Sequence, residues 1–345
     1  MKIQEDIIIS KVLLIVSLAT FLCPEVYANG PNGDEETEII QAHKYVITQD
    51  AVLDSIATKF PDLALKSRNA KARFHRSALG VGHRGVVEKY DILTGGNLDE
   101  YMAPIKERLR QSVEKANFPR SYALQKINQA TELKVTTPED FAVTISAEDV
   151  LSTLLSWNET YQKKPVKEVL DGWTRVFSTR DEPKAKGLDF AMEFPMSWKP
   201  KTSNSPNIVQ EFYSQCGHGY VSCNIIVRNV GETPSLSELK HLFSVEMIRE
   251  MGSQLGTVLD AKEITMAQLP AGFYIIDITQ RVIDIEMSMR MTRYVLMIED
   301  KMVMIDFMET SAEGEPVYTE EDRQENQELF KMIAASFNNV GPFRN

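Results

Sequence analysis

Residues able to do chemistry gather in a few places along this chain. Cys216-Gly217-His218-Gly219-Tyr220-Val221-Ser222-Cys223 holds two thiols and an imidazole. A zinc or copper site needs three or four such ligands, and no fourth stands in the run. The two glycines let the chain reverse, so the expected use is an intramolecular disulfide between Cys216 and Cys223 that fixes a strand turn. Metal binding with His218 as third ligand is the alternative. Gly80-Val81-Gly82-His83-Arg84-Gly85 fits the dinucleotide pattern G-x-G-x-x-G, with Asp99 and Glu100 farther on. That chemistry requires a buried hydrophobic strand just before the glycines. Here the charged, helix-like Lys71-Ala72-Arg73-Phe74-His75-Arg76 precedes them, so a glycine-rich turn between helices is expected instead.

Met287, Met289 and Met291 alternate on one strand face, and Met297, Met302, Met304 and Met308 follow. Soft thioethers bind Cu(I), but methionine serves more commonly as adaptable core filling, and no nearby His or Cys joins this run. Lys66, Arg68, Lys71, Arg73, Arg76 and Arg84 form a basic stretch in an acidic protein. The plain reading is a solvated helix face. The functional one is a contact surface for an acidic partner or anionic lipid head groups. The five histidines, His43, His75, His83, His218 and His241, match no catalytic spacing. Glu299-Asp300 and Glu320-Glu321-Asp322 fall where a turn and a helix start are expected, and negative charge at a helix start is stabilising in itself. Asn158-Glu159-Thr160 fits a glycosylation acceptor, which matters only in a host that glycosylates. No catalytic set, metal or cofactor emerges.

These residues must be positioned by two kinds of element. Pro31 to Glu36 reads as a polar start, and from there to about Thr179 the periodicity is mainly helical. Asp50 is placed to cap a short helix through Val52, Ile56 and Phe60. Asn97 and Glu100 begin a clearer helix, striped by Leu98, Met102, Ile105, Leu109 and Val113. Residues 147–157 and 166–177 read as two more helices, and 137–145 as either strand or loop. The polar segment 178–187 (STRDEPKAKG) is the expected linker between domains 29–177 and 188–337. Beyond it β-rich runs take over: 188–194, 208–213, 220–228, 259–266, 273–283, 286–298 and 302–309. Ser235 with Glu238 opens one helix among them, and 319–337 forms the last, before a tail at 338–345. Strands, helix, meander and helix in that order make an antiparallel sheet with helices packed on it, so the fold class is α+β.

The carrying residues Phe190, Phe194-Pro195 and Trp198, then Asn224-Ile225-Ile226-Val227, then Leu269-Pro270-Ala271-Gly272-Phe273, resemble the signatures of the PsbP-like fold. The extrinsic photosystem II protein and a Ran-binding nuclear import factor have this fold. The resemblance covers about 188–337, under half of the chain, and implies an α/β/α sandwich. The family is known mostly for docking to other proteins and has no shared catalytic set, so the resemblance supplies no site residue.

Compartment and partner class follow from the ends and the totals. Lys2 and Lys11 flank an apolar start, and the run from Val12 to Leu22 suits a signal peptide while being too short to span a bilayer. Val26-Tyr27-Ala28 offers a cut after Ala28, giving 1–28 as the signal; Glu5 and Asp6 leave an uncleaved anchor as the alternative. The expected location is therefore periplasmic or secreted. The 345 residues carry a formal net charge of -11, which repels phosphate backbones and argues against nucleic acid as partner. The expected function is a non-enzymatic binding or assembly module of the envelope that engages another envelope or secreted protein. The competing reading is a hydrolase with an unfamiliar site.

Overall fold

A computed structural model of the chain describes residues 33–136, 143–282, 285–312 and 318–339. The signal segment and its cut after Ala28 lie outside the described residues, as do most of 137–145 and of the 338–345 tail. Two compact units are present: Gly30–Glu168 with Met196–Trp198, and Val169–Pro195 with Lys199–Asn345. Among the described residues no helix is long and apolar enough to cross a membrane.

The first unit is helical. Its elements are α1 (Gly33–Lys59), α2 (Ala64–Arg76), α3 (Ala78–Thr94), α4 (Leu98–Lys115), α5 (Arg120–Thr131), α6 (Ala147–Ser156) and α7 (Glu159–Lys163), with most of α8 (Val166–Leu170). Asp50 caps nothing. It sits inside α1, a 27-residue helix whose apolar positions extend upstream of it through Ile39, Tyr45 and Val46. Asn97 does cap α4, accepting a hydrogen bond from the Glu100 amide at 3.0 Å. One core joins α1, α2, α4 and α5 through Leu53, Ile56, Ala70, Val113, Ala123 and Ile127.

The corner between α2 and α3 is made by Ser77, whose ψ is 174° and whose hydroxyl accepts from the Leu79 amide. Gly80, Gly82 and Gly85 lie inside α3 rather than in a turn. A Cβ on Gly82 would stand 1.7 Å from the Leu154 carbonyl oxygen, and one on Gly85 1.8 Å from that of Trp157. The glycine motif is a packing device that lets α3 lie directly against α6 and the residue that follows it.

The second unit begins earlier than 188. Strand β1 (Thr174–Ser178) pairs antiparallel with β2 (Phe190–Pro195), so 178–187 is the connection within a hairpin. The helix expected over 166–177 ends at Leu170, because the β-rich run Thr174-Arg175-Val176-Phe177 has a partner strand. A seven-stranded sheet runs in the order β3 (Lys199–Lys201), β4 (Ile208–Tyr213), β5 (Val221–Asn229), β9 (Lys301–Ala312), β8 (Ile285–Ile298), β7 (Leu269–Val282) and β6 (Thr257–Met266), with every pairing antiparallel. The expected α+β class is the observed one.

Helices α9 (Leu236–Leu242) and α10 (Val245–Ser253) bury Leu242, Phe243, Ile248 and Met251 in a core with Met291, Met297, Met302, Met304 and Met308. The methionines are core filling for this helix layer. On the opposite face α11 (Glu320–Ala335) stacks Phe330 on Phe307 with ring centroids 4.5 Å apart. Ser235 and Thr319 close full capping boxes with Glu238 and Asp322. The acidic start of α11 is therefore helix-capping chemistry, as its position suggested.

Candidate functional site

Three histidines far apart in sequence converge in the helical unit. His43 of α1 and His83 of α3 share a hydrogen bond between Nδ1 and Nε2 at 2.9 Å, with ring centroids 5.0 Å apart. His75, at the end of α2, lies edge-on to His83 and meets both oxygens of Asp50 at 2.9 Å. Burial pushes His83 down to about 3, helped by the neighbouring His43 and His75. Burial also lowers His43; Asp99 opposes that shift and Lys106 adds to it. Both rings are therefore neutral at pH 7. The Nε2 of His43 is buried with no hydrogen-bond partner, and the Asp99 carboxylate stands 4.0 Å away.

An imidazole oriented by a carboxylate is half of a nucleophile-activating set. The other half is missing: among the described residues no Ser, Thr or Cys side chain hydrogen-bonds to any of these three rings. No group of three or more His, Cys, Asp or Glu among the described residues is arranged to hold a metal ion. The cluster is a buried joint between α1, α2 and α3.

The sheet unit holds a second buried polar set that sequence reasoning passed over. Strand register aligns Glu211, Asn224, Asp306, Arg293 and Tyr274 in one row across five strands. Arg293 is fully buried and donates from Nε and Nη2 to the two oxygens of Asp306, both at 2.5 Å, and from Nη1 to the Tyr274 hydroxyl at 2.9 Å. Burial works against the guanidinium charge, yet Asp306 and Tyr274 outweigh it and hold Arg293 above its usual value. Burial pushes Tyr274 up to about 12. The signal was visible in the sequence: Arg293 and Asp306 are charged residues at positions where the strand alternation demands an inward side chain.

On the α11 face, Glu309 accepts a hydrogen bond from Asn326 at 2.8 Å, and its other oxygen has no partner. Burial raises it to about 7.

The disulfide expected between Cys216 and Cys223 does not form; both are buried thiols. The register explains why. Cys223 lies opposite Phe212, inside the β4–β5 ladder, while Cys216 sits in a short turn beyond the end of β4. Burial, with Asp306 nearby, pushes the Cys223 thiol well above its usual value, leaving it protonated and unreactive. Asn158 is also buried, donating to the Ala78 carbonyl at 2.9 Å and accepting from the Thr160 amide, so its side chain is a helix cap and no accessible glycosylation acceptor.

The basic stretch has a different setting. Lys71 is tied to Asp54 at 2.8 Å and stands 3.7 Å from Asp50. Arg84 turns back onto the carbonyls of His75 and Gly80. Lys66, Arg68, Arg73 and Arg76 are exposed on α2, and none has a carboxylate within 4.0 Å among the described residues. Helix α5, which packs on α2, carries Arg120, which is paired with Asp62, and Lys126, which lies over the Tyr122 ring. Neither helix contains an Asp or Glu.

A cleft lined by Tyr45, Gln49, Val52, Tyr122, Lys126 and Thr136 encloses about 30 Å³, the scale of a single water. It is too small for an organic substrate.

No protein-family model matches the chain, and no curated protein matches it. Among solved structures, a protein from Bacteroides thetaiotaomicron VPI-5482 is similar over 44% of this chain at 8% identity and a TM-score of 0.28; the match spans 46% of that protein. LpqN, described as involved in cell envelope biogenesis of Mycobacterium tuberculosis, is similar over 50% of this chain and 95% of its own at 7% identity and a TM-score of 0.31. Likenesses this faint bear on neither fold nor function.

Proposed function

We propose that this chain is an exported, non-enzymatic binding module whose contact surface is the basic face of α2 and whose partner is anionic. The observation that carries this reading is the exposed set Lys66, Arg68, Arg73 and Arg76, left without carboxylates in a chain of net charge -11. An acidic protein has carboxylates to spare for neutralising surface cations, and four cations left unpaired on one helix make a field that attracts anions. Export rests on the signal pattern of residues 1–28.

The sheet unit is read as a PsbP-like scaffold. Supporting that reading are the buried Phe190 and Phe194 of its opening motif, the β6–β9 meander, and helix layers on the two sheet faces. Its buried Arg293 and Asp306 satisfy one another, which suits a support rather than a site.

Cation-exchange chromatography at pH 7 and low salt tests the reading. The native chain is expected to be retained despite its negative total, and the double variant Arg68→Glu, Arg73→Glu to flow through. Flow-through of the native chain would defeat it.

A further inference from the structure

The anionic partner has a shape as well as a charge. At about 3.6 residues per turn, the buried positions Ala64, Ser67, Ala70 and Phe74 define the inner side of α2. Directly opposite lies the stripe Leu65, Asn69, Ala72 and Arg76. Arg68 falls on one flank of this stripe, and Lys66 and Arg73 on the other. The outermost position is thus an apolar side chain, Leu65, 69% exposed, bordered by cations on both sides. The neighbouring α5 does not repeat this arrangement, because its Arg120 is held by Asp62 in a two-point ion pair.

Resting on the binding reading above, we infer that α2 docks the protein on an anionic phospholipid surface. Leu65 enters the head-group layer, and Lys66, Arg68, Arg73 and Arg76 meet lipid phosphates. A leucine at the crest of α2 with cations on both flanks matches a bilayer, which presents phosphates along both flanks of the helix and hydrocarbon beneath its crest. Each basic residue near such a surface raises partitioning by about fivefold, so four give firm but salt-sensitive attachment. The acidic remainder of the chain does not cancel this, because charges more than a Debye length from the surface, about 8 Å at physiological salt, are screened.

Vesicle co-sedimentation of the full chain decides the matter. The native protein is expected to sediment with vesicles of equal parts phosphatidylcholine and phosphatidylglycerol, to release as NaCl is raised, and to stay in solution with phosphatidylcholine alone. Arg68→Glu with Arg73→Glu should lower partitioning at least about tenfold. Leu65→Gln should lower it about threefold while leaving cation-exchange retention unchanged. Equal sedimentation with neutral vesicles would overturn the inference, because it would mean insertion through the apolar run from Val12 to Leu22. Retention on the exchanger without sedimentation on acidic vesicles would overturn the lipid assignment and leave the binding face standing. Loss of both would remove the binding face as well.

Discussion

The helical unit and the sheet unit each bury a cluster of ionisable groups, and they solve the same problem in opposite ways. In the sheet, Arg293 stays charged because Asp306 and Tyr274 answer every direction in which its guanidinium can donate strongly. In the helices, His43 and His83 stay neutral because burial removes the charge instead. The first cluster holds while its partners hold. The second is stable only where protons are scarce. The difference teaches that the sheet is built as a fixed support, whereas the helical unit, which carries the proposed contact face, is the part that responds to its surroundings.

The largest expected effect comes from breaking the satisfied cluster. Arg293→Met leaves Asp306 buried without its partner and should cost about 3 to 5 kcal/mol in urea unfolding. The double variant Arg293→Met with Asp306→Leu should recover most of that loss, because the cost lies in the orphaned charge. A double variant as unstable as the single would mean that the pair stabilises the sheet outright.

Acid should then move the two units in opposite directions. His83 has a folded value near 3, below its unfolded value near 6.5. Its contribution is present above pH 6.5 and is lost as pH falls toward 3, about 2 to 3 kcal/mol by pH 4.5. Glu309 is raised from 4.5 to about 7. Its contribution is present below 4.5 and is lost as pH rises through 7, so acid strengthens the sheet by a similar amount. Hydrogen exchange at the two pH values, corrected for intrinsic rates, should find α1 and α3 opening more readily in acid while β8 and β9 hold. Equal loosening of both units would contradict the contrast.

Gly82→Ala should be next in size. Its Cβ has no room against the Leu154 carbonyl, so α3 must shift away from α6 at a cost of about 1 to 3 kcal/mol. A lowered melting temperature confined to the helical unit is expected, whereas a dinucleotide role would leave folding unaffected. The smallest effect belongs to the contact face itself: Arg68→Glu with Arg73→Glu should change stability by no more than about 0.5 kcal/mol, since both side chains are exposed and unpaired.

How much of this was legible depended on the range of the interactions. Local signals were reliable: the box at Ser235, the cap at Asn97, the helix start at Thr319 and the strand run 208–213 are each decided by residues within a few positions. Long-range pairing was not. Thr174-Arg175-Val176-Phe177 became a strand because β2 lies beside it, and Asp50 was absorbed into α1 because apolar positions upstream had a core to enter. The histidine cluster was invisible because it assembles from positions 43, 75 and 83 on three helices. The glycine motif misled in one detail, since the same lack of a side chain serves a turn or a close helix contact. Cys216 and Cys223 suggested a disulfide through the expected export and the two glycines between them, and only the β4–β5 register shows that Cys223 lies inside the ladder while Cys216 sits beyond its end. The basic stretch divides between two helices, with Lys71 tied to Asp54 and Arg84 turned onto the carbonyls of His75 and Gly80, which only the packing of α1, α2 and α3 reveals.

The most direct measurement is covalent footprinting of arginine side chains in the full chain, with and without excess poly-glutamate as a generic anionic ligand. The account predicts that Arg68, Arg73 and Arg76 become protected together while exposed Arg249 of α10 reacts at an unchanged rate. Protection of Arg249 with no change on α2 would contradict the placing of the binding face on the helical unit.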